Sequence, residues 1–128
     1  MQGKHLFEYA VVRVVPQVER EEFINVGVIL YCADEHFLQI RFDLNEARLL
    51  SFSSKLDIEN IKASLGAFKS ICEGGVQAGP IGAYTAPERF RWLTASRSTI
   101  VQCSCVHPGL CDSGKEMLER LFEQLVRQ

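Results

Sequence analysis

The chain has 128 residues, a net charge of −2 and a pI near 5.9, with 47% hydrophobic and 23% charged residues. That length suits one domain of roughly 100–150 residues, which buries about two thirds of its unfolded surface without a disulfide or metal staple. The composition excludes disordered and low-complexity classes. No apolar run approaches the ~18 residues of a membrane span, and the weak acidity argues against a dedicated nucleic-acid binder.

Met1 to His5 leads into a short apolar segment with no small-residue cleavage site, so no secretory leader is expected. Residues 7–15 are rich in β-branched side chains and predict a strand, ended by Pro16, which cannot donate to a ladder. Gln17 to Glu22 reads as a polar loop or a single helical turn. Residues 23–32 predict a second strand, Ala33 to Glu35 a short turn, and 36–42 a third strand, so the second and third strands form an antiparallel hairpin. Asp43 and Glu46 have capping-box spacing for a short helix through about Leu50. Asp57 caps a longer helix whose apolar stripe is Ile58, Ile61, Leu65, Phe68 and Cys72, stopped by Gly74 and Gly75. Gly74 to Tyr84 reads as a loop. Thr85 and Glu88, with Pro87 in the first turn, open a helix through Leu93. Residues 98–105 predict a fourth strand, His107-Pro108-Gly109 a turn, and Ser113 the cap of a last helix.

The order β-β-β-α-α-(α)-β-α places the chain in the α+β class as a single domain over residues 1–128. The expected architecture is an antiparallel-rich sheet of about four strands with the two longer helices packed on one face.

Strand alternation separates a plain face from a mixed one. In the first strand Ala10, Val12 and Val14 oppose Phe7, Tyr9, Val11, Arg13 and Val15. In the second, Ile24, Val26, Val28, Leu30 and Cys32 oppose Asn25, Gly27, Ile29 and Tyr31. In the third, Leu38, Ile40 and Phe42 oppose Phe37, Gln39 and Arg41. The mixed faces then gather Tyr9, Arg13, Asn25, Gly27 and Arg41 on the side away from the helices. A solvated sheet face is the plain reading. Ile29, Tyr31 and Phe37 make it apolar for open solvent, so a loop, a partner or a second copy of the chain is expected to cover it.

Glu88 to Thr99 carries three Arg, one Phe and the only Trp. Arginine presents a planar fork suited to carboxylate and phosphate. Arg13, Arg89, Arg97 and His107, with Tyr9, Asn25, Trp92 and Gln102 nearby, form the candidate ligand or partner site, whose alternative reading is core aromatics and ordinary ion pairs. Nucleophile-elbow, phosphate-loop, zincin and dinucleotide motifs do not occur in the sequence.

The five cysteines, without a leader, read as reduced thiols in a cytoplasm. Cys103, Cys105, His107 and Cys111 place four soft donors within nine residues, acceptable in identity for a Cys3His zinc shell. The cluster lacks the second knuckle of a structural zinc site, so buried or half-exposed thiols are the competing reading and no cofactor is expected.

Several blocks in order resemble a known family: Tyr9 to Pro16, Glu22 to Tyr31, Gly79-Pro80-Ile81-Gly82, Glu88 to Leu93, Arg97-Ser98-Thr99 and His107 to Leu110. Together they resemble the bacterial domain-of-unknown-function family numbered 3037, from about Phe7 to Val126. The resemblance implies a bacterial protein often encoded beside a HipA-like kinase, and it carries over no catalytic residues. The expected function is a non-enzymatic accessory or interaction module acting with such a kinase or as a homo-oligomer. The alternative is a small enzyme or sensor that binds a phosphate, nucleotide or carboxylate through its arginines.

Overall fold

The computed structural model describes residues 4–16, 20, 22–97 and 99–127. The expected loop over residues 17–22 and the Ser98 step of the Arg97-Ser98-Thr99 motif lie largely outside them. Five strands form one antiparallel sheet: β1 (His5–Val14), β2 (Ile24–Cys32), β3 (Phe37–Phe42), β4 (Val101–Cys103) and β5 (His107–Cys111). The order is β3-β2-β1, with β4 and β5 both pairing the far side of β1. Among the described residues four α-helices accompany it: α1 (Glu46–Phe52), α2 (Ile58–Glu73), α3 (Ala86–Thr94) and α4 (Gly114–Leu125).

The class is α+β, with two departures from expectation. The first concerns the edge beyond β1. Residues 107–109 are not a turn; they continue the edge as β5, and Pro108 is tolerated there because an edge strand has one side without ladder bonds. The break between β4 and β5 is bridged by Ser104. Its N–H donates to the Val11 carbonyl and its hydroxyl accepts from the Val11 N–H, both at 2.8 Å. A side chain thus replaces a ladder partner and keeps the buried backbone satisfied.

The second departure is the placement of the helices. The two longest, α2 and α4, cover opposite faces rather than one. Val12, Val14, Ile24, Val26, Ile29 and Leu38 pack with α2 and α3, whereas Phe7, Val28, Leu30 and Cys32 pack with Leu118 and Phe122 of α4. The β1–β2 register explains the split of the second strand. Val12 faces Gly27 while Arg13 faces Asn25, so Val26 is an extra residue on β2. One bulged residue moves the remainder of a strand to the other face. Ile24 and Val26 therefore share a face with Ile29 and Tyr31, not with Val28 and Leu30. Gly27 also leaves the mixed set. It sits against β3 so closely that a Cβ would lie 2.8 Å from the Arg41 carbonyl oxygen. The cover over Tyr9, Asn25 and Arg41 is the chain's own last helix.

The caps follow the sequence with one change. The Asp57, Thr85 and Ser113 side chains each accept the N–H three residues on. For α1 the cap is Asn45, which accepts from the Arg48 N–H, and Asp43 instead pairs with Arg127 at 3.5 Å. The expected loop after α2 contains 3-10 turns over Val76–Ala83, broken at Gly79. A Cβ on Gly82 would run into the Gly75 carbonyl, so this segment closes only around glycine.

Thr85 and Glu88 form a reciprocal capping box on α3, and the Thr85 N–H and hydroxyl hold the Glu88 carboxyl below its usual range. A depressed carboxylate contributes above its unfolded pKa and loses its contribution as pH falls through the folded value. Thr85→Ala is expected to cost about 1 kcal/mol at pH 7 and less at pH 3, read by urea unfolding at both pH values. An equal cost at both would show that the Glu88 arm of the box is idle.

Candidate functional site

The eight residues expected to form one site divide between the two faces of the sheet. Tyr9, Arg13, Asn25, Gln102 and His107 lie on the α4 face. Tyr9 is the cross-strand partner of His107, and Arg13 is the partner of both Gln102 and Asn25. The Tyr9 and His107 rings stand 5.3 Å apart, and the Arg13 guanidinium lies 4.0 Å over the exposed Phe23 ring. Asn25 Nδ2 donates to the Leu125 carbonyl at 3.1 Å, tying β2 to the end of α4. Arg13 Nε and Asn25 Oδ1 are buried with no hydrogen-bond partner among the described residues. Tyr9 and Arg13 are four residues apart on one strand, roughly 14 Å, with Val11 between them. They form a line along the sheet rather than a pocket.

Arg89, Trp92 and Arg97 belong to α3 and the segment after it, on the other side. Arg89 points back at the end of α2. Its Nη1 donates to the Ile71 and Cys72 carbonyls, each at 2.7 Å, and its Nε to the Tyr84 carbonyl at 3.0 Å. A helix C-terminus exposes carbonyls that lack intrahelical partners and carries partial negative charge. Arg89 therefore caps α2 and locks the glycine-rich segment to it.

Arg97 is placed differently. Its Nη2 donates to the Trp92 carbonyl at 2.6 Å, which anchors it to the last turn of α3. The guanidinium stands 4.8 Å from the Trp92 ring centroid and 5.3 Å from that of Phe68 on α2. Cation–aromatic contacts of this kind hold a guanidinium in place while leaving its edge free to donate. Arg97 thus spans the gap between α2 and α3. Beside it lies an open groove of about 340 Å³, lined by Ser64, Ala67, Phe68, Ile71, Trp92, Arg97, Thr99 and Val101. It adjoins a second hollow of about 370 Å³ through Ser64, Thr99 and Val101, with Asn60, Ile61 and Ile100 as further walls. No carboxylate lines either one, so Arg97 is the formal charge of the whole groove among the described residues. Strand-face reasoning missed the α2 wall. Phe68 sits on the apolar stripe and reads as core. The signal for the wall is a second stripe of small and polar residues, Asn60, Ser64 and Ala67, beside the apolar one.

The four soft donors do not gather. Cys103 joins the core under α3, with its thiol donating to the Leu93 carbonyl, and Cys111 is buried under α4. Cys105 remains exposed, its sulfur 3.6 Å from His107 Nε2. Among the described residues no three His, Cys, Asp or Glu side chains converge as metal ligands. Burial pushes the Cys72 thiol up to about 12 and the Cys103 thiol up to about 11. The thiolate is the nucleophile, so native protein treated briefly with iodoacetamide at pH 8 is expected to gain one adduct, at Cys105. Intact mass spectrometry checks this, and an adduct that persists in Cys105→Ser would contradict the placement of the other thiols.

A family model described as a protein of unknown function, DUF3037, matches residues 9–126. The chain belongs to this family. The match covers both the α4-face line from Tyr9 to His107 and the Arg97 groove. No curated protein and no solved structure matches the chain. Among the described residues of this DUF3037 protein, no helix is long and apolar enough to cross a membrane.

Proposed function

We propose that this DUF3037 protein is an interaction module that captures an anion-bearing ligand or partner in the groove between α2, α3 and β4. The observation that carries this reading is Arg97. Among the described residues it is the one predicted arginine held by aromatic rings at a groove without carboxylates, with one of its donors used on a backbone carbonyl. Trp92 supplies a flat apolar wall and Ser64 and Thr99 supply hydroxyls, so a ligand with an anionic end and an apolar body matches the lining. The HipA-like kinase implied by the family resemblance falls within this reading as a partner. Co-expression and size-exclusion chromatography test it, and separate elution at micromolar concentration counts against it.

The binding test uses the chain's single tryptophan, which is itself in the groove wall. Titration with phosphate, citrate and nucleotides is expected to change Trp92 fluorescence saturably for at least one anion. Arg97→Gln is expected to weaken that response at least tenfold, whereas Arg13→Gln, on the opposite face, leaves it intact. A hit at a hundredfold excess over its Kd stabilises the fold by about 2.7 kcal/mol. No saturable response to any anion, or a response indifferent to Arg97→Gln, overturns the proposal.

A further inference from the structure

Arg97 brings one positive charge to the groove, and its hydrogen bonding shows which head group that charge suits. A guanidinium carries five N–H donors, arranged as a side fork of Nε with Nη2 and an end fork of Nη1 with Nη2. Nη2 has one hydrogen in each fork. Its bond to the Trp92 carbonyl at 2.6 Å spends one of them. Among the described residues Nε and Nη1 have no partner, so one fork is intact whichever Nη2 hydrogen is used. An intact fork matches a carboxylate, whose two oxygens accept its two parallel N–H bonds.

The rest of the lining sets the charge and the body of the ligand. Phe68, Ile71 and Val101 are buried and form an apolar floor, with Ala67 and the exposed Trp92 ring beside them. The hydroxyls of Ser64 and Thr99 are neutral, and that of Thr99 already donates to the Val101 carbonyl at 2.9 Å. The adjoining hollow adds Asn60, Ile61 and Ile100 and no cation. The N-terminus of α2 offers no anion site beyond it, because the Asp57 carboxylate accepts the Asn60 N–H there at 3.1 Å. A ligand with two or more negative charges would therefore keep at least one of them unpaired beside apolar side chains, which is costly. A monoanion is matched.

We propose that the groove binds a small apolar monocarboxylic acid. Its carboxylate is bidentate on the free fork of Arg97, and its hydrocarbon body rests on Phe68, Ile71 and Val101 beside Trp92. This rests on the anion-capture reading above and names the class of ligand. Nucleotides and citrate exceed the single charge, and inorganic phosphate lacks the body. The volume of about 340 Å³ lies in the range of small-molecule sites.

The experiment titrates the full chain with 3-phenylpropionate and with octanoate, read by Trp92 fluorescence, with the corresponding amides and AMP as comparators. The two acids share the head group and separate a ring from a chain as the body. At least one acid is expected to give a saturable change, and its amide and AMP to bind at least tenfold more weakly. Arg97→Lys keeps the charge and loses the fork, and is expected to weaken the acid at least tenfold. Because Arg97 also anchors the last turn of α3, Ala67→Glu provides an independent check. Ala67 is exposed on α2, so the substitution sets a carboxylate at the groove without entering the core. It is expected to weaken the acid at least tenfold, with the melting temperature of the free protein unchanged. No saturable response to either acid, equal or tighter binding of the amide or AMP, or an affinity indifferent to either substitution overturns the proposal. If phosphate, citrate or nucleotides shift Trp92 fluorescence while neither acid does, the ligand class fails and anion capture stands. If no anion acts, both fail.

Discussion

Phe122→Ala is expected to lower the unfolding free energy by about 3–5 kcal/mol, as truncation of a fully buried phenylalanine does. Phe122 has no exposed surface and packs against Val28, Leu30 and Leu118 in the core under α4. Two guanidinium groups flank its ring, Arg41 at 4.3 Å and Arg127 at 5.1 Å. Those arginines in turn pair with Glu119 and with Asp43 and Glu123. These ion pairs are half exposed, and each contributes at most ~1 kcal/mol. Burial of the ring is therefore what holds α4 on the sheet. Urea unfolding measures the loss, and amide hydrogen exchange locates it, with protection falling first in α4 and at Val28 and Leu30. A loss below 1 kcal/mol would mean that α4 is not integral to the fold and that the α4 face is open to a partner.

Arg89→Met is expected to lower stability by roughly 2–4 kcal/mol, because hydrogen bonds to a charged donor contribute about 1.5–3 kcal/mol each and are not additive. Methionine keeps the aliphatic stem and removes the donors. The Ile71 and Cys72 carbonyls at the end of α2 and the Tyr84 carbonyl then lose their partner together. The glycine-rich segment between them, bound to itself by the Gly75 N–H to the Gly82 carbonyl at 3.1 Å, loses its anchor on α2. Increased proteolysis between Val76 and Ala83 is the local readout. The variant also separates the roles of two neighbouring arginines. Arg89→Met is expected to weaken the fold while leaving the anion response of Trp92 in the folded protein, and Arg97→Gln to weaken the response more than the fold. The reverse pattern would assign the binding role to Arg89.

Much of the architecture was legible in the residues because it depends on local chemistry. β-branched runs mark β1 to β3, and the side chains of Asp57, Thr85 and Ser113 satisfy helix N–H groups three residues away, whatever the rest of the fold does. The association of Tyr9, Arg13 and Asn25 on one face was also readable from alternation. Gln102 and His107 join them through pairings nearly a hundred residues distant from β1, which alternation within a strand does not reach. Asn45 displaced Asp43 as the cap of α1 because the competition among adjacent polar residues is decided by where the chain leaves β3. The β5 strand was hidden for a related reason. His-Pro-Gly carries turn chemistry, and only its position on a free edge makes it strand.

By itself, then, the sequence determined the class, the first three strands, three of the four helix caps and the family, all of which rest on contacts within a few residues or on the order of short blocks along the chain. Tertiary structure alone decided three things. The bulge at Val26 decided which side chains face which helix, because a period of two has no memory across one extra residue. The return of α4 decided that the mixed face is covered from within the chain. The partner of each arginine decided its role: Arg89 meets helix carbonyls, Arg13 meets Phe23 and Arg97 meets two aromatic rings at an open groove. A guanidinium is the same group in all three places, and what it does is set by the groups that distant parts of the chain bring against it.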